Sequence, residues 1–219
     1  MSGFLSSSIA RKVAMALSAL FLIFFLIIHL AVNITSLFSE DLFNELAHFM
    51  GNNPLVQFAL QPVLIVGVIF HFVMGFVLEL KNKKATTVKY AKDNGAANSS
   101  WMSRNMIYSG LVILAFLVLH FIDFWFPEMN YKYIEGRPVD TTRYFSELQH
   151  KFGNPIRVGA YVISFVLLGL HLAHGFQSAF QSMRFNNKYT KTVRALGKIY
   201  SIAIPLGFIL VAVYHYFNH

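Results

Sequence analysis

The sequence predicts an all-α membrane protein in which five transmembrane helices form one bundle. Hydrophobic residues make up 56% of the 219-residue chain and charged residues only 13%, whereas an ordinary soluble domain carries about 25% charged residues. Five apolar stretches are each long enough, at about 1.5 Å per residue, to cross about 30 Å of hydrocarbon. Because these stretches are unbroken rather than alternating, helices are favoured over strands.

The helices are expected near residues 12–37, 56–80, 104–126, 156–182 and 197–217. Asn53-Pro54 and Asn154-Pro155 each place a capping residue before a proline that can start a helix, and so mark helices two and four. The loop at 127–155 is long and mixed in charge, so we expect it to fold over the bundle. No internal repeat is apparent, and residues 1–219 are expected to form one domain.

The charge distribution predicts the orientation of the bundle. The net charge of +8 is concentrated in segments 1–12, 81–104 and 183–198, which would share one side of the membrane. Basic loops stay on the cytoplasmic side, so we expect a cytoplasmic N-terminus and an external C-terminus. The same charge would attract anionic membrane lipid, and nucleic-acid binding is not expected. The segments hold 13 of the 18 basic residues: Arg11, Lys12, Lys81, Lys83, Lys84, Lys89, Lys92, Arg104, Arg184, Lys188, Lys191, Arg194 and Lys198.

Histidine is the residue type that points to a site. The chain has nine His and no Cys, which excludes disulfides, iron–sulfur ligation and covalently attached c-type haem. An intramembrane His can simply hydrogen-bond to a neighbouring helix, so the set matters more than any member. Those within or at the end of the predicted spans are His29, His71, His120, His171, His174 and His215.

The depths of these histidines form two pairs. A helix rises about 1.5 Å per residue, so the distance of each histidine from the basic residues at the inner end of its helix can be counted. This distance is about 26 Å for His29 and about 24 Å for His120, but about 15 Å for His71 and about 20 Å for His171. Two pairs of neutral imidazoles from four helices are what two bis-histidine b haems require. His174 lies at about 15 Å, which matches His71 better than His171 does, so His174 is an alternative ligand.

Glycines one turn away from the inner histidines permit two interpretations. Gly67 and Gly75 flank His71, and Gly175 follows His171. A missing side chain leaves room for a flat macrocycle, but it also permits close helix packing. Zinc is disfavoured because it needs three or four ligands at one depth. A haem-free proton-coupled transporter would add carboxylates and broken helices near the midplane, and it is the distant alternative.

Several motifs resemble one family of membrane proteins. They are IIHLAVN around His29, FNELAHFM at 43–50, FHFVMGF around His71, Trp101 and Gly110 leading to His120, and GLHLAHGF around His171, with 42 residues from His29 to His71. Their order and the topology resemble the five-helix, diheme cytochrome b membrane anchor of succinate:quinone oxidoreductase (succinate dehydrogenase or fumarate reductase).

The resemblance implies roles for the histidines. Helices one and three of the family ligate the distal haem, here through His29 and His120, and helices two and four the proximal haem, here through His71 and His171. The family's helix-four ligand is followed at plus four by glycine, which selects His171 over His174. The fifth helix supplies no ligand, so His215 is expected at the surface or an interface.

The resemblance also implies a mechanism and partners. A flavoprotein subunit oxidises succinate or reduces fumarate, and an iron–sulfur subunit docks on the basic inner face and exchanges electrons with the proximal haem. The distal haem exchanges them with a quinone, for which menaquinone rather than ubiquinone is expected. The chain would be a multi-pass subunit of a bacterial inner membrane and of an enzyme whose dicarboxylate chemistry lies on its partners. The nearer alternative is the diheme cytochrome b of another quinone-linked dehydrogenase, such as a hydrogenase or formate dehydrogenase.

Further residues are candidates for quinone and propionate binding. Quinone reduction takes up two protons, so an outer site needs proton-exchanging groups near His29, although such residues can also form a solvated face. Arg and Lys near span ends also often reach to the interface without binding anything. The quinone candidates are Glu45, His48 and Asn33, and the haem propionate candidates are Trp101, Ser103, Arg104 and Arg184 on the inner side and Arg157 on the outer side.

Overall fold

The computed structural model describes residues 7–85, 106–183 and 189–218, and within these ranges the regular structure is helical, without strands. Ser7 and Ser39 cap the first two helices by accepting from the backbone N–H groups of Ala10 and Leu42. Seven helices are numbered here in chain order: α1 Ser8–Ile34, α2 Glu40–Asn52, α3 Gln61–Ala85, α4 Met106–His120, α5 Arg143–Phe152, α6 Pro155–Ser182 and α7 Thr190–Phe217.

Five of these helices are long and apolar enough to cross a membrane, which confirms the predicted fold class of a multi-pass helical membrane protein. The spans are Ser8–Leu37, Val56–Lys81, Met106–Ile134, Pro155–Ser182 and Thr190–Phe217. We call the end of the bundle that carries α2 and α5 the outer end, and the opposite end the inner end.

The third span runs eight residues beyond its predicted end at 126, although Pro127 would normally stop a helix. A proline ring clashes with the carbonyl four residues back in a regular α-helix. Here a wider π-helical turn, Phe121–Trp125, directly precedes the α-helical turn Phe126–Met129, and a second π-helical turn, Asn130–Ile134, follows. The predicted loop therefore contains the end of this span as well as α5, whose Leu148 and Phe152 are buried in the core with Phe43 of α2.

The chain contains an internal repeat, contrary to our expectation from the sequence. Helices α1–α3 correspond to α4–α6. Residues 15–29 align without gaps to 106–120, with six identities that include a Met-x-x-Ser motif and the terminal His. The motif Phe-x-Glu-Leu-x-His-x-x-Gly occurs at 43–51 and at 145–153, and His-x-x-x-Gly-Phe occurs at 71–76 and at 171–176.

Local structure supports the equivalence of the two repeats. The Asn53 side chain accepts from the backbone N–H groups of the second and third residues after it, at 3.0 and 3.3 Å, and Asn154 does the same at 3.0 and 3.1 Å. His71 follows Pro54 by 17 residues, whereas His171 follows Pro155 by 16. The first repeat therefore has one more residue between its proline and its histidine than the second. A π-helical turn, Val56–Leu60, just before α3 accommodates this residue, because a π turn closes over one residue more than an α turn.

Helix α7 has no counterpart in the repeats and packs mainly against α6. Pro205 lacks an N–H group, so it leaves the Ser201 carbonyl without its helical donor. Gly169 of α6 lies against this carbonyl, which would be only 3.0 Å from a Cβ atom at that position. α7 also contacts α1, whereas α3 and α4 touch each other little.

His215 of α7 is fully buried, so its expected place at the surface or an interface is wrong. Its Nε2 lies 2.9 Å from Ser36 Oγ, which itself donates to the Asn33 carbonyl at 2.6 Å. The imidazole therefore joins α7 to the turn that follows α1, and burial favours this contact because no water competes for it.

Candidate functional site

Four histidines from four spanning helices meet as two pairs in the middle of the bundle. The rings of His71 and His171 have their centroids 6.5 Å apart and their planes at 68°. The rings of His29 and His120 have their centroids 5.8 Å apart and their planes at 87°. These are the pairs that residue depth predicted, and we call them the inner pair and the outer pair.

Each pair joins equivalent residues of the two repeats. His29 and His120 end the aligned segments of α1 and α4, and His71 and His171 begin the shared His-x-x-x-Gly-Phe motif of α3 and α6. The two halves are thus related by a pseudo-twofold arrangement in which each histidine faces its own counterpart. An isologous contact of this kind pairs a residue with its own equivalent.

Serine hydroxyls orient both rings of the inner pair. Ser18 Oγ donates to the Met15 carbonyl at 2.8 Å, so it accepts from His71 Nδ1, which is 3.1 Å away. In the second repeat Ser109 Oγ donates to the Met106 carbonyl at 2.9 Å and accepts from His171 Nδ1 at 3.0 Å. With the proton on Nδ1, each Nε2 keeps the lone pair that a metal ligand needs.

The structure favours His171 over His174 as the partner of His71. The ring of His171 faces His71 and is held by Ser109. Its place in the second repeat is that of His71 in the first, whereas His174 takes the place of Met74. Gly110 of α4 lies against the His171 ring, since a Cβ atom there would be 3.8 Å from Cε1.

Aromatic rings surround the outer pair, again in equivalent positions. Phe25 stacks on His29 with centroids 5.3 Å apart, and Phe116, one turn before His120, stacks on it at 5.9 Å. Phe208 of α7 also contacts His29. Among the described residues, the buried Nδ1 of His120 has no hydrogen-bond partner, so nothing in this part of the chain determines which of its nitrogens carries the proton.

The two pairs fit a group that takes one imidazole on each of two opposite faces. Each imidazole would bind the metal through a bond of about 2 Å. When the distance from each nitrogen to the centre of its ring is added, the two ring centroids lie about 6 Å apart. The observed separations of 5.8 and 6.5 Å agree with this value. Each pair offers two imidazoles, the number that a bis-histidine haem takes, whereas zinc takes three or four protein ligands.

The glycines beside the inner pair contact side chains of the neighbouring helix. A Cβ atom at Gly67 would meet the Phe21 ring at 3.0 Å, which supports a packing role for this glycine. Cβ atoms at Gly75 and Gly175 would meet the Cε atoms of Met15 and Met106 at 3.7 and 3.3 Å. Methionine is the most adaptable apolar side chain, so these two contacts can yield to a bound group.

A buried charged cluster beside the outer pair was not predicted as a site. The Tyr161 hydroxyl donates to Asp123 Oδ2 at 2.9 Å, and Arg157 Nε lies 3.1 Å from Oδ1. We call these three residues the Asp123 cluster. The sequence does show a carboxylate, Asp123, within a predicted span. It does not show that Tyr161 and Arg157 of another helix contact this carboxylate. Arg157, the outer propionate candidate, is ion-paired with Asp123.

The three quinone candidates have different surroundings. Asn33 Nδ2 donates to the His29 carbonyl at 2.8 Å, within its own helix. Glu45 is exposed, and His48 Nδ1 lies 3.0 Å from Asn52 Nδ2, which in turn donates to the Tyr144 hydroxyl. Four propionate candidates, Trp101, Ser103, Arg104 and Arg184, lie outside the described residues.

A second charged cluster joins α5 to the end of the third span. The Arg143 guanidinium pairs with Glu128 and Glu147 and lies 4.1 Å over the Tyr131 ring and 4.5 Å over the Tyr144 ring. Burial alone would lower the pKa of Arg143, but its hydrogen bonds to the two glutamates outweigh burial and raise this pKa. The permanently charged guanidinium therefore fastens α5 over the outer end of the bundle.

Comparison of the chain with known family models, with curated proteins and with solved structures gives no match in any of the three. The function must therefore be inferred from the paired histidines, their neighbours and the sequence motifs.

Proposed function

We propose that the chain is the membrane anchor and electron-transfer subunit of a succinate:quinone oxidoreductase, with two bis-histidine b haems. The observation that carries this proposal is the pair of symmetric histidine contacts, each at a separation suited to two axial ligands of one haem. His71 and His171 would hold the inner, proximal haem, and His29 and His120 the outer, distal haem. When bound, the haems supply one-electron carriers.

The protein's part is to place two such carriers in series across the membrane. Ser18, at the level of the inner pair, precedes His29 of the outer pair by 11 residues, or about 16 Å along α1. Serine hydroxyls fix the inner imidazoles, aromatic rings enclose the outer ones, and lipid-facing apolar residues such as Phe24 and Val66 keep the bundle in the membrane. Each imidazole is neutral when it binds iron, so no charged ligand has to be buried.

The substrate chemistry would lie on partner subunits. A flavoprotein would exchange two electrons with succinate or fumarate, and an iron–sulfur subunit would pass them to the basic inner end, where Lys12, Lys81 and Lys191 are exposed. A quinone, for which we propose menaquinone, would take two electrons and two protons at the outer end. In a bacterial inner membrane, a full outward crossing by an electron is favourable by about 2.3 kcal/mol per 100 mV, which would help succinate to reduce a low-potential quinone.

The first experiment is a redox difference spectrum with a pyridine–haem assay of the purified chain, together with His171→Ala and His174→Ala. We expect two b haems per chain, with one lost in His171→Ala and both retained in His174→Ala. Loss in His174→Ala alone would move the proximal site one turn inward and contradict the assignment of His171. A colourless wild-type protein would contradict electron transfer altogether and favour the histidine-containing transporter.

A second experiment separates this proposal from the other diheme cytochromes b. The motifs from 27 to 176 support succinate:quinone oxidoreductase, so the complex purified through this chain should contain a flavoprotein and an iron–sulfur protein and should reduce quinone with succinate. Co-purification of a hydrogenase or a formate dehydrogenase would instead assign the chain to the other class of diheme anchor.

A further inference from the structure

The Asp123 cluster distinguishes the outer histidine pair from the inner one. Asp123 is 1% exposed and its side chain has no accessible surface, although it lies within the third membrane span. Ionisable groups inside membrane spans are costly, and those that are present usually serve a function. The hydrogen-bond partners of the inner pair, by contrast, are the neutral hydroxyls of Ser18 and Ser109.

The cluster is attached to the outer pair in two ways. Asp123 lies in the π-helical turn Phe121–Trp125, which begins directly after His120. Tyr161, which donates to the Asp123 carboxylate at 2.9 Å, has its ring centroid 6.4 Å from that of His120. The carboxylate is therefore held beside the outer pair both along the chain and through a side chain of α6.

The repeat shows that the cluster is not required for holding the histidines. Asp123 corresponds to Val32 of the first repeat, and Arg157 corresponds to Val56, by the alignments that match His120 with His29 and Pro155 with Pro54. His29 is thus held without a charged neighbour at these positions. A buried carboxylate therefore lies beside the histidine of the second repeat, whereas the equivalent position beside the histidine of the first repeat is apolar.

The two opposite charges of the cluster are unequally exposed to water. Arg157 is four residues before Tyr161, about 6 Å along α6, and its Nε lies 3.1 Å from Asp123 Oδ1. Its side chain is 30% exposed, whereas that of Asp123 is fully buried. Water screens the guanidinium more than the carboxylate, so the arginine only partly cancels the negative charge next to the histidines.

We propose that the Asp123 carboxylate sets the midpoint potential of the haem held by His29 and His120. A buried negative charge stabilises the oxidised iron, which is more positive than the reduced iron, and so lowers the potential. Arg157 opposes this effect, and Tyr161 fixes the carboxylate in place. Asp123 acts in this role through its charge and not as an iron ligand, and the inference rests on the proposed function because it requires a haem at the outer pair.

The test is a redox titration of both haems in the purified chain, in which the shift of each midpoint is measured. Asp123→Asn should raise the midpoint of the outer haem, and Arg157→Gln should lower it. The midpoint of the inner haem should not move, because Tyr161 is ten residues, or about 15 Å, from His171 on α6. Asp41→Asn is the matched control, since it removes an exposed carboxylate from α2 and should shift neither midpoint.

The outcomes separate this inference from the proposed function. An outer midpoint unmoved by Asp123→Asn, or moved as much by Asp41→Asn, would overturn the role of Asp123 and leave the diheme assignment intact. If Asp123→Asn loses the outer haem, Arg157→Gln decides: a lower midpoint supports the proposal, and an equal or higher one overturns it. A wild-type chain without haem would overturn both the proposed function and this inference.

Discussion

The two repeats share their ligands and differ at the outer end. Both carry the Met-x-x-Ser motif, both terminal histidines and the same Asn-Pro helix start. Only the second has a span that continues to Ile134, the Asp123 cluster and the Arg143 ion pairs. The symmetric features thus build the two candidate haem sites, whereas the asymmetric ones surround the outer site, where the proposed quinone chemistry takes place.

Helix packing also shows where the bundle departs from the symmetry of the two repeats. α7 contacts α6 and α1, and its Phe208 reaches the outer pair, whereas no helix among the described residues covers α3 and α4 in the corresponding way. The bundle is therefore a symmetric pair of three-helix repeats closed on one side by a seventh helix. The four paired histidines therefore all lie within the repeats, whereas one side of the outer pair is covered by Phe208 of α7, which lies outside them.

The strongest test of the symmetry is removal of the outer ligands one at a time. His29→Ala and His120→Ala should each abolish one of the two haems and to the same extent, because a bis-histidine site loses half of its iron ligands in either variant. The pyridine–haem assay measures this loss. His150→Ala, at an exposed position of α5, should keep both haems. Full retention in one of the two ligand variants would show that the outer pair is not a shared site.

The inner pair offers a test with a smaller expected effect. Ser18→Ala and Ser109→Ala should each weaken inner haem binding by about 10–100-fold, the usual cost of losing a partner that orients a metal-ligating histidine. The rate of haem transfer to an excess of apomyoglobin measures the change. Ser201→Ala is the control. Ser201 also donates to the carbonyl three residues back, but it lies on α7, which carries no histidine of either pair. Unequal effects of the two ligand-orienting serines would break the equivalence of the repeats.

The smallest effect is expected from shortening the first repeat. Deletion of Phe58, a 70% exposed residue in the π-helical turn, should convert that turn to an α turn and leave both haems bound, because His71 keeps its rotation relative to Asn53. Deletion of Ile163 from the regular helix α6 should rotate one end against the other by about 100° and lose haem. The haem content of both deletion variants is the measurement, and equal losses would contradict the role of the π turn.

Much of the candidate site could be predicted because depth is a property of the linear sequence. Counting residues from the basic loops placed His29 with His120 in an outer layer and His71 with His171 or His174 in an inner one. The structure brings His29 to His120 and His71 to His171. The count favoured His174 over His171, since helix tilt shifts each depth by several ångströms. His171 and His174 differ in the direction in which they leave the axis of α6, and the contact with Ser109 shows that His171 is the one that faces the pair.

The sequence alone determined the number of spans, the helical class and the layers of histidines, because lipid demands about 20 apolar residues per crossing and internal hydrogen bonds in each. The partners of Asp123, the burial of His215 and the continuation of the third span past Pro127 were decided by the tertiary structure. Each of these depends on how helices are rotated and packed against one another. Hydropathy constrains whether a segment crosses the membrane, but only contacts with neighbouring helices determine which side chains a buried polar group meets.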